Sequence, residues 1–220
     1  NPGWTPNTTD VSNRRYRYGQ QPQIGAWNLA RWLESLIPLM EKPEALESVL
    51  DHYGEVFNQH HNDMWVAKLG LDSWRESDQE LVQELNTVLQ TIEIDMTIFF
   101  RLLSGLNGPK ANDLAHAFYQ PLGEAEASMN EWLALWWQRV DSAPDRKAMN
   151  AANPKYVLRN WMAQVAIDAA EQGDFSVCET LHSLLIRPYE EQVSMEDEWF
   201  QKRPEWARNR VGCSMLSCSS

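Results

Sequence analysis

Asn13–Leu33 reads NRRYRYGQQPQIGAWNLARWL and divides a polar N-terminal arm from a long run of helical pattern. Arg14, Arg15 and Arg17 interleave with Tyr16 and Tyr18; Gly19 permits a turn, and Pro22 restricts Gln21 to extended conformations. From Pro22 onward the pattern changes: Ile24, Trp27, Ala30, Trp32, Leu33, Leu36 and Ile37 recur at helical spacing. Pro22 has no N–H to satisfy and so suits a first helical position, which predicts a helix from about Gln23 to Met40.

Working outward, residues 1–21 carry the turn formers Asn1, Pro2, Gly3, Pro6, Asn7, Asp10 and Asn13 and read as loop. Asn7-Thr8-Thr9 fits a glycosylation sequon and, with no secretory signal, is read as chance. A second helix is expected from about Glu44 to Leu69, with Leu46, Val49, Leu50, Tyr53, Val56, Phe57, Met64 and Trp65 on one face and Gly70 as its stop. Ser77 and Glu80 fit a capping box before Leu81, Val82, Leu85, Val88, Leu89 and Ile92. Asp95 is the expected N-cap of a short helix. A Trp-rich helix is expected from about Gly123 to Val140, its stripe formed by Met129, Trp132, Leu133, Trp136 and Val140, with Trp137 at an interface. Asp141 to Ala152 reads as a loop or a short helix. Asn153 is then expected to cap a helix that has Pro154 first and ends at Gly173; Asp174 caps another, which ends at Arg187-Pro188-Tyr189.

Composition narrows the function classes. A length of 220 residues with 43% hydrophobic content suits one domain, or one large piece of a larger one. A net charge of −12 argues against non-specific nucleic-acid binding, which relies on Lys and Arg neutralising phosphates. Arg14, Arg15 and Arg17 are the local exception, read either as a solvated loop or as a contact for phosphates or for acidic groups elsewhere in a longer protein. No apolar run reaches the length of a membrane span, so no membrane partner is expected. The chain opens on Asn1-Pro2-Gly3 without Met and reads as a fragment whose N-terminal part is missing. His52, His60, His61 and Asp63 cluster in sequence but read as a wet helix face, since two residues sharing a face do not close a metal site. Glu124 with Glu126, and Glu190 with Glu191, read as charge-rich helix ends. Three cysteines, Cys178, Cys213 and Cys218, are too few for a disulfide scaffold and fit a reducing compartment. Cys178 is expected to be packed and inert between Val177 and Leu181, whereas Cys213 and Cys218 lie on a polar tail and read either as a redox pair or as inert thiols.

These motifs, in this order, resemble the selenoprotein O family of protein adenylyltransferases, also called the YdiU family. Arg15, Tyr16, Tyr18, Gln21, Pro22, Trp27, Asn28, Leu29 and Arg31 match its Gly-Arg-Tyr-Ser-Tyr-x-Asn-Gln-Pro and Trp-Asn-Leu-x-Arg-Leu; Arg14, Arg17, Gln20 and Trp32 depart. Asp95, Thr97, Phe100, Arg101, Leu103 and Ser104 match its Asp-Tyr-Thr-x-x-Phe-Arg-x-Leu-Ser. The stretch from Asn153 to Asp174, NPKYVLRNWMAQVAIDAAEQGD, is nearly the family's own, and Ser217-Cys218-Ser219-Ser220 reproduces its terminus.

The resemblance implies an all-α fragment: the helical C-lobe of a protein kinase-like fold followed by an irregular tail. Residues 1–21 would be the end of the activation segment, 22–190 the helical lobe and 191–220 the tail with its terminal Cys. It implies a parent that transfers AMP from ATP to Ser, Thr or Tyr hydroxyls of protein substrates, using ATP with Mg2+ or Mn2+. No Gly-rich loop, catalytic-loop signature or Asp-Tyr-Gly is found here, so no catalytic, cofactor or metal residue is assigned to the fragment. It would serve as a scaffold for the N-terminal part of its own chain and be inactive alone, with neither nucleotide nor metal bound. Some bacterial members pair a terminal Cys with one in the activation segment; Pro6 stands at that second position, leaving Cys213 as a candidate partner for Cys218. The expected location is cytoplasmic for a bacterial-type member and mitochondrial for a eukaryotic one. The rival readings are a helical interaction module without chemistry and a thiol-redox protein.

Overall fold

The computed structural model describes residues 2–3, 5, 14–40 and 45–213, which form helices α1 (Gln21–Leu36), α2 (Ala45–Leu69), α3 (Asp78–Thr91), α4 (Met96–Leu103), α5 (Ala125–Arg139), α6 (Arg146–Ala152), α7 (Asn160–Ala170), α8 (Ser176–Leu185) and α9 (Glu196–Trp199). Among the described residues strand structure is limited to isolated bridge residues, including an antiparallel pair of Ile94 and Phe118, as an all-α reading requires. The chain divides into two compact units, and it passes from the first to the second within α2, between Asn62 and Asp63.

In the first unit, a 3-10 turn over Tyr18–Gln20 runs straight into α1. Gln21 is therefore helical, not extended, and Pro22 is the second helical residue rather than the first. The Gln21 side chain offsets the cost of this pre-proline conformation by donating from Nε2 to the Tyr16 carbonyl at 2.6 Å. The α-helix stops at Leu36, and Ile37–Leu39 tightens to 3-10 geometry around Pro38. Gly25 lets α1 approach α2: a Cβ there would sit 2.7 Å from the Tyr53 hydroxyl, which donates to the Pro22 carbonyl at 3.1 Å.

The second unit holds two apolar cores. The larger joins the end of α2 to α3, α4, α5 and α6. Trp132 and Trp136 lie stacked at its centre, 6.2 Å apart and 9° from parallel. Each buried indole N–H has a partner, the Leu81 carbonyl for Trp132 and the Leu69 carbonyl for Trp136, both at 2.9 Å. Gly70, at φ +68°, ends α2, and a Cβ there would press on Met149 at 2.8 Å. The smaller core gathers Tyr156, Trp161, Met162 and Ala166 with Leu181, Leu184, Trp199, Ala207 and Cys213. Residues 191–213 thus contribute short helical turns and buried side chains, where the sequence suggested an irregular tail.

Three caps differ from expectation. Ser77 has helical dihedrals and makes no side-chain cap; its neighbour Asp78 is buried and accepts from the Arg75 N–H at 2.8 Å. Asn153 does not open a helix. Its backbone is extended, and the helix begins at Asn160, because the Lys155 and Tyr156 N–H groups both donate to the Pro188 carbonyl. Asp174 accepts from the Ser176 N–H at 2.9 Å but lies one residue before the N-cap position of α8, Phe175. Asp95 caps α4 as expected, accepting from the Ile98 N–H at 3.1 Å.

Candidate functional site

The basic arm and α1 form the most distinctive surface of the first unit. Gly19 donates its N–H to the Pro2 carbonyl at 2.8 Å, and a Cβ at Gly19 would meet Pro2 at 2.9 Å, so glycine is needed for the arm to fold back. Arg17 donates to Gln20 Oε1 at 2.8 Å, and Arg14 to the Gly3 carbonyl at 3.4 Å. The Arg15 guanidinium lies 4.9 Å from the centre of the Trp27 ring and that of Arg31 lies 5.6 Å from it. Arg15, Arg17, Gln20, Gln23, Ile24 and Trp27 line a hollow of about 460 Å³. Such a surface suits an anionic group with an aromatic or apolar portion, which is the contact reading of the arginines.

The second unit carries a buried polar node that the motifs had not revealed as one site. Arg101 donates to the carbonyls of Asn150 and Asn153, to that of Tyr189, and to Glu191. Lys155, buried beside it, pairs with Glu191 at 2.8 Å and with Glu196, and its ammonium lies 5.2 Å from the Phe200 ring centre. Burial alone would raise the Glu191 carboxyl, but hydrogen bonds from Lys155 and Arg101 outweigh it and hold the group below its ordinary value. The Tyr156 hydroxyl, donating to the Glu191 and Gln192 carbonyls, is pushed up to about 12 by burial and then by the charges of Glu196 and Glu191. Asn153 clasps the end of α2: its Nδ2 donates to the Lys68 carbonyl at 2.9 Å and its Oδ1 accepts from Lys68 Nζ at 2.8 Å. Burial lowers the Lys68 amine. Next to the node, Arg159 grips Asp95 through both carboxylate oxygens.

Asp95 and Arg101 come from one sequence motif, Asn153 and Arg159 from a second, and Pro188 and Tyr189 from a third; the fold joins all three. The two buried cations of the node, Arg101 and Lys155, are each bonded to the protein's own carbonyl or carboxylate oxygens, so its chemistry is that of a clamp. The signal in the sequence was the motifs themselves; their mutual contact required the fold.

The remaining candidates separate. Cys178 is exposed on α8, contrary to the packed position expected for it, whereas Cys213 is 7% exposed within the smaller core. Cys178 sits in the first turn of α8, where its thiol reaches the Ala166 carbonyl at 3.9 Å yet the residue stays exposed, while Leu181 and Leu184 farther along are buried. Cys218, Pro6 and the Asn7 sequon lie outside the described residues. Among the described residues no three His, Cys, Asp or Glu side chains converge as metal ligands, and no helix is long and apolar enough to cross a membrane.

Proteins named as protein nucleotidyltransferases align with the whole chain. That of Aromatoleum aromaticum, "Protein nucleotidyltransferase YdiU", is 46% identical over 228 residues, covering 100% of this chain and 43% of that protein. Relatives of the same name from Flavobacterium johnsoniae and Rhodopirellula baltica are 44% and 43% identical, again over 100% of this chain and over 44% and 45% of their own lengths. The family described as "Protein adenylyltransferase SelO" matches residues 1–186, and the chain belongs to that family. It spans less than half the length of these relatives.

Proposed function

We propose that this chain is the C-terminal part of a protein adenylyltransferase that transfers AMP from ATP to Ser, Thr or Tyr hydroxyls of protein substrates. The family match over residues 1–186 carries the reading. In that reaction the acceptor oxygen bonds to the α-phosphorus, pyrophosphate leaves, and the hydroxyl proton passes to a base. ATP and its Mg2+ or Mn2+ are assigned to the part of the parent outside this chain; the described residues do not assemble a set of metal ligands. The role of this chain is to hold the arm from Arg14 to Gln20 in place and to support the N-terminal part of its own parent. The hollow beside Trp27 supports this, since its two arginines and partly open indole suit an acidic or phosphate-bearing contact.

The test is full-length protein with ATP labelled at the α- or the γ-phosphate and a Ser/Thr/Tyr-bearing acceptor. Label from the α-position alone is expected. Transfer of the γ-label would replace the reading with a kinase. The 220-residue chain by itself should transfer neither.

A cysteine switch is a narrower proposal. Cys213 is buried, so a disulfide with Cys218 requires it to leave its core. Brief alkylation of the folded chain should label Cys178 ahead of Cys213; equal labelling would show that Cys213 is accessible and would favour the switch.

A further inference from the structure

Between α3 and α5 runs a groove of about 500 Å³ with an acidic rim and an apolar floor. Glu80 and Glu84 stand one helical turn apart on α3, and Glu131 faces them from α5. Val88 and Trp132 form the floor, and Leu135 lies in the groove 48% exposed. We propose that this groove docks an amphipathic helix of a protein substrate, one with Lys or Arg spaced a turn apart beside a Leu-type side chain. This rests on the reading of the parent as an enzyme acting on proteins.

Charge complementarity selects the occupant. α3 contains no Lys or Arg, and the single basic residue of α5, Arg139, is turned away and held by Asp78 and Asp72. Among the described residues none of the three groove glutamates has an ion pair, while Asp72, Asp78, Glu93, Asp95, Asp168 and Glu191 in the same unit all do. The three carboxylates do not converge on a point that could hold a metal ion, so their spacing suits a row of side-chain cations. Leu135 supplies the apolar contact that a purely electrostatic attraction in water lacks.

The experiment measures binding of a fluorescent Lys/Leu amphipathic helical peptide to this chain and to the full-length parent by anisotropy, at low and high salt. Wild type should bind, more weakly in high salt, and a peptide with Glu in place of Lys should not. Glu84→Lys with Glu131→Lys should weaken binding by about tenfold and Leu135→Ala by about threefold; all three positions are exposed, and circular dichroism confirms that the variants fold. Equal affinity across the variants, or no binding, overturns the proposal. Self-association lost in the double variant would make a second copy the occupant and also overturn it. So would a parent that fails to bind while this chain succeeds, since its own preceding segment would then fill the groove. α-Phosphate transfer by the parent is measured in parallel: transfer without peptide binding sinks only the groove, and binding without transfer sinks only the proposed activity.

Discussion

α1 and α5 both carry tryptophans at helical spacing, yet the two helices use them in opposite ways. In α5, Trp132 and Trp136 are almost wholly buried, stacked, and satisfied at their indole N–H groups by backbone carbonyls. In α1, Trp27 is 44% and Trp32 59% exposed, and only Ile24 and Leu33 are buried. Spacing identifies the side of a helix that is apolar. It does not identify what covers that side, which depends on partners that the sequence leaves to tertiary structure.

The sharpest way to break this comparison is to truncate one tryptophan from each helix. Trp136→Ala should cost about 3–5 kcal/mol, because it opens a cavity and leaves the Leu69 carbonyl without its indole donor. Trp32→Ala should stay within about 0.5 kcal/mol in this chain. Urea unfolding of both variants decides the matter, and equal losses would mean that α1 is covered after all.

Asn153→Ser sharpens the comparison at the level of a cap. Serine is as good an N-cap as asparagine, so a capping role predicts no change. The observed clasp on Lys68 needs an amide that both donates and accepts, and its loss should cost about 1–3 kcal/mol in the same assay.

Tyr156→Phe should cost about 1 kcal/mol near neutral pH, through the lost hydroxyl contacts to Glu191 and Gln192. Its pH dependence is more telling. The folded hydroxyl titrates near 12 against an ordinary 10.0, so its contribution is intact below pH 10 and is lost as pH rises through 12. Wild type should therefore lose more stability than the Phe variant across that alkaline window. Parallel losses would show that Tyr156 is not the group responsible.

The helices of the second unit were largely legible because their apolar positions were dense enough to allow one assignment. α5 lies within its expected bounds, and Asp95 caps α4 as its position suggests. α2 was legible in extent but not in burial: Val49, Val56 and Met64, expected on its apolar face, are exposed, while Trp65 is buried. The helix expected at Asn153 fails because local propensity competes with distant contacts: Pro188 takes the N–H groups of Lys155 and Tyr156, and the helix starts six residues later than Pro154, at Asn160. Gln21 fails for the opposite reason, since a local side-chain bond to Tyr16 offsets a local steric rule. Of the candidate site, the arginines of the arm were visible as a cluster, but the stacking of Arg15 on Trp27 was not. The cysteines were ranked by their neighbours in sequence, and exposure reverses the order for Cys178 and Cys213 because the neighbours that matter come from other helices.

The clasp between Lys68 and Asn153 joins residues 85 positions apart, and the Glu93 pairs with Arg203 and Arg208 span 110 and 115. A ribosome adding about 5–20 residues per second puts about 4–17 s between the appearance of Lys68 and that of Asn153. The Leu69 carbonyl lacks its indole donor until Trp136 is made, and the Lys68 carbonyl lacks its amide donor until Asn153 is made, so the last turn of α2 stays incomplete across the interval. The nascent chain is therefore most exposed to chaperones and proteases between the synthesis of α2 and that of the Asn153 segment. A pause introduced there should lower soluble yield more than the same pause placed after Cys213.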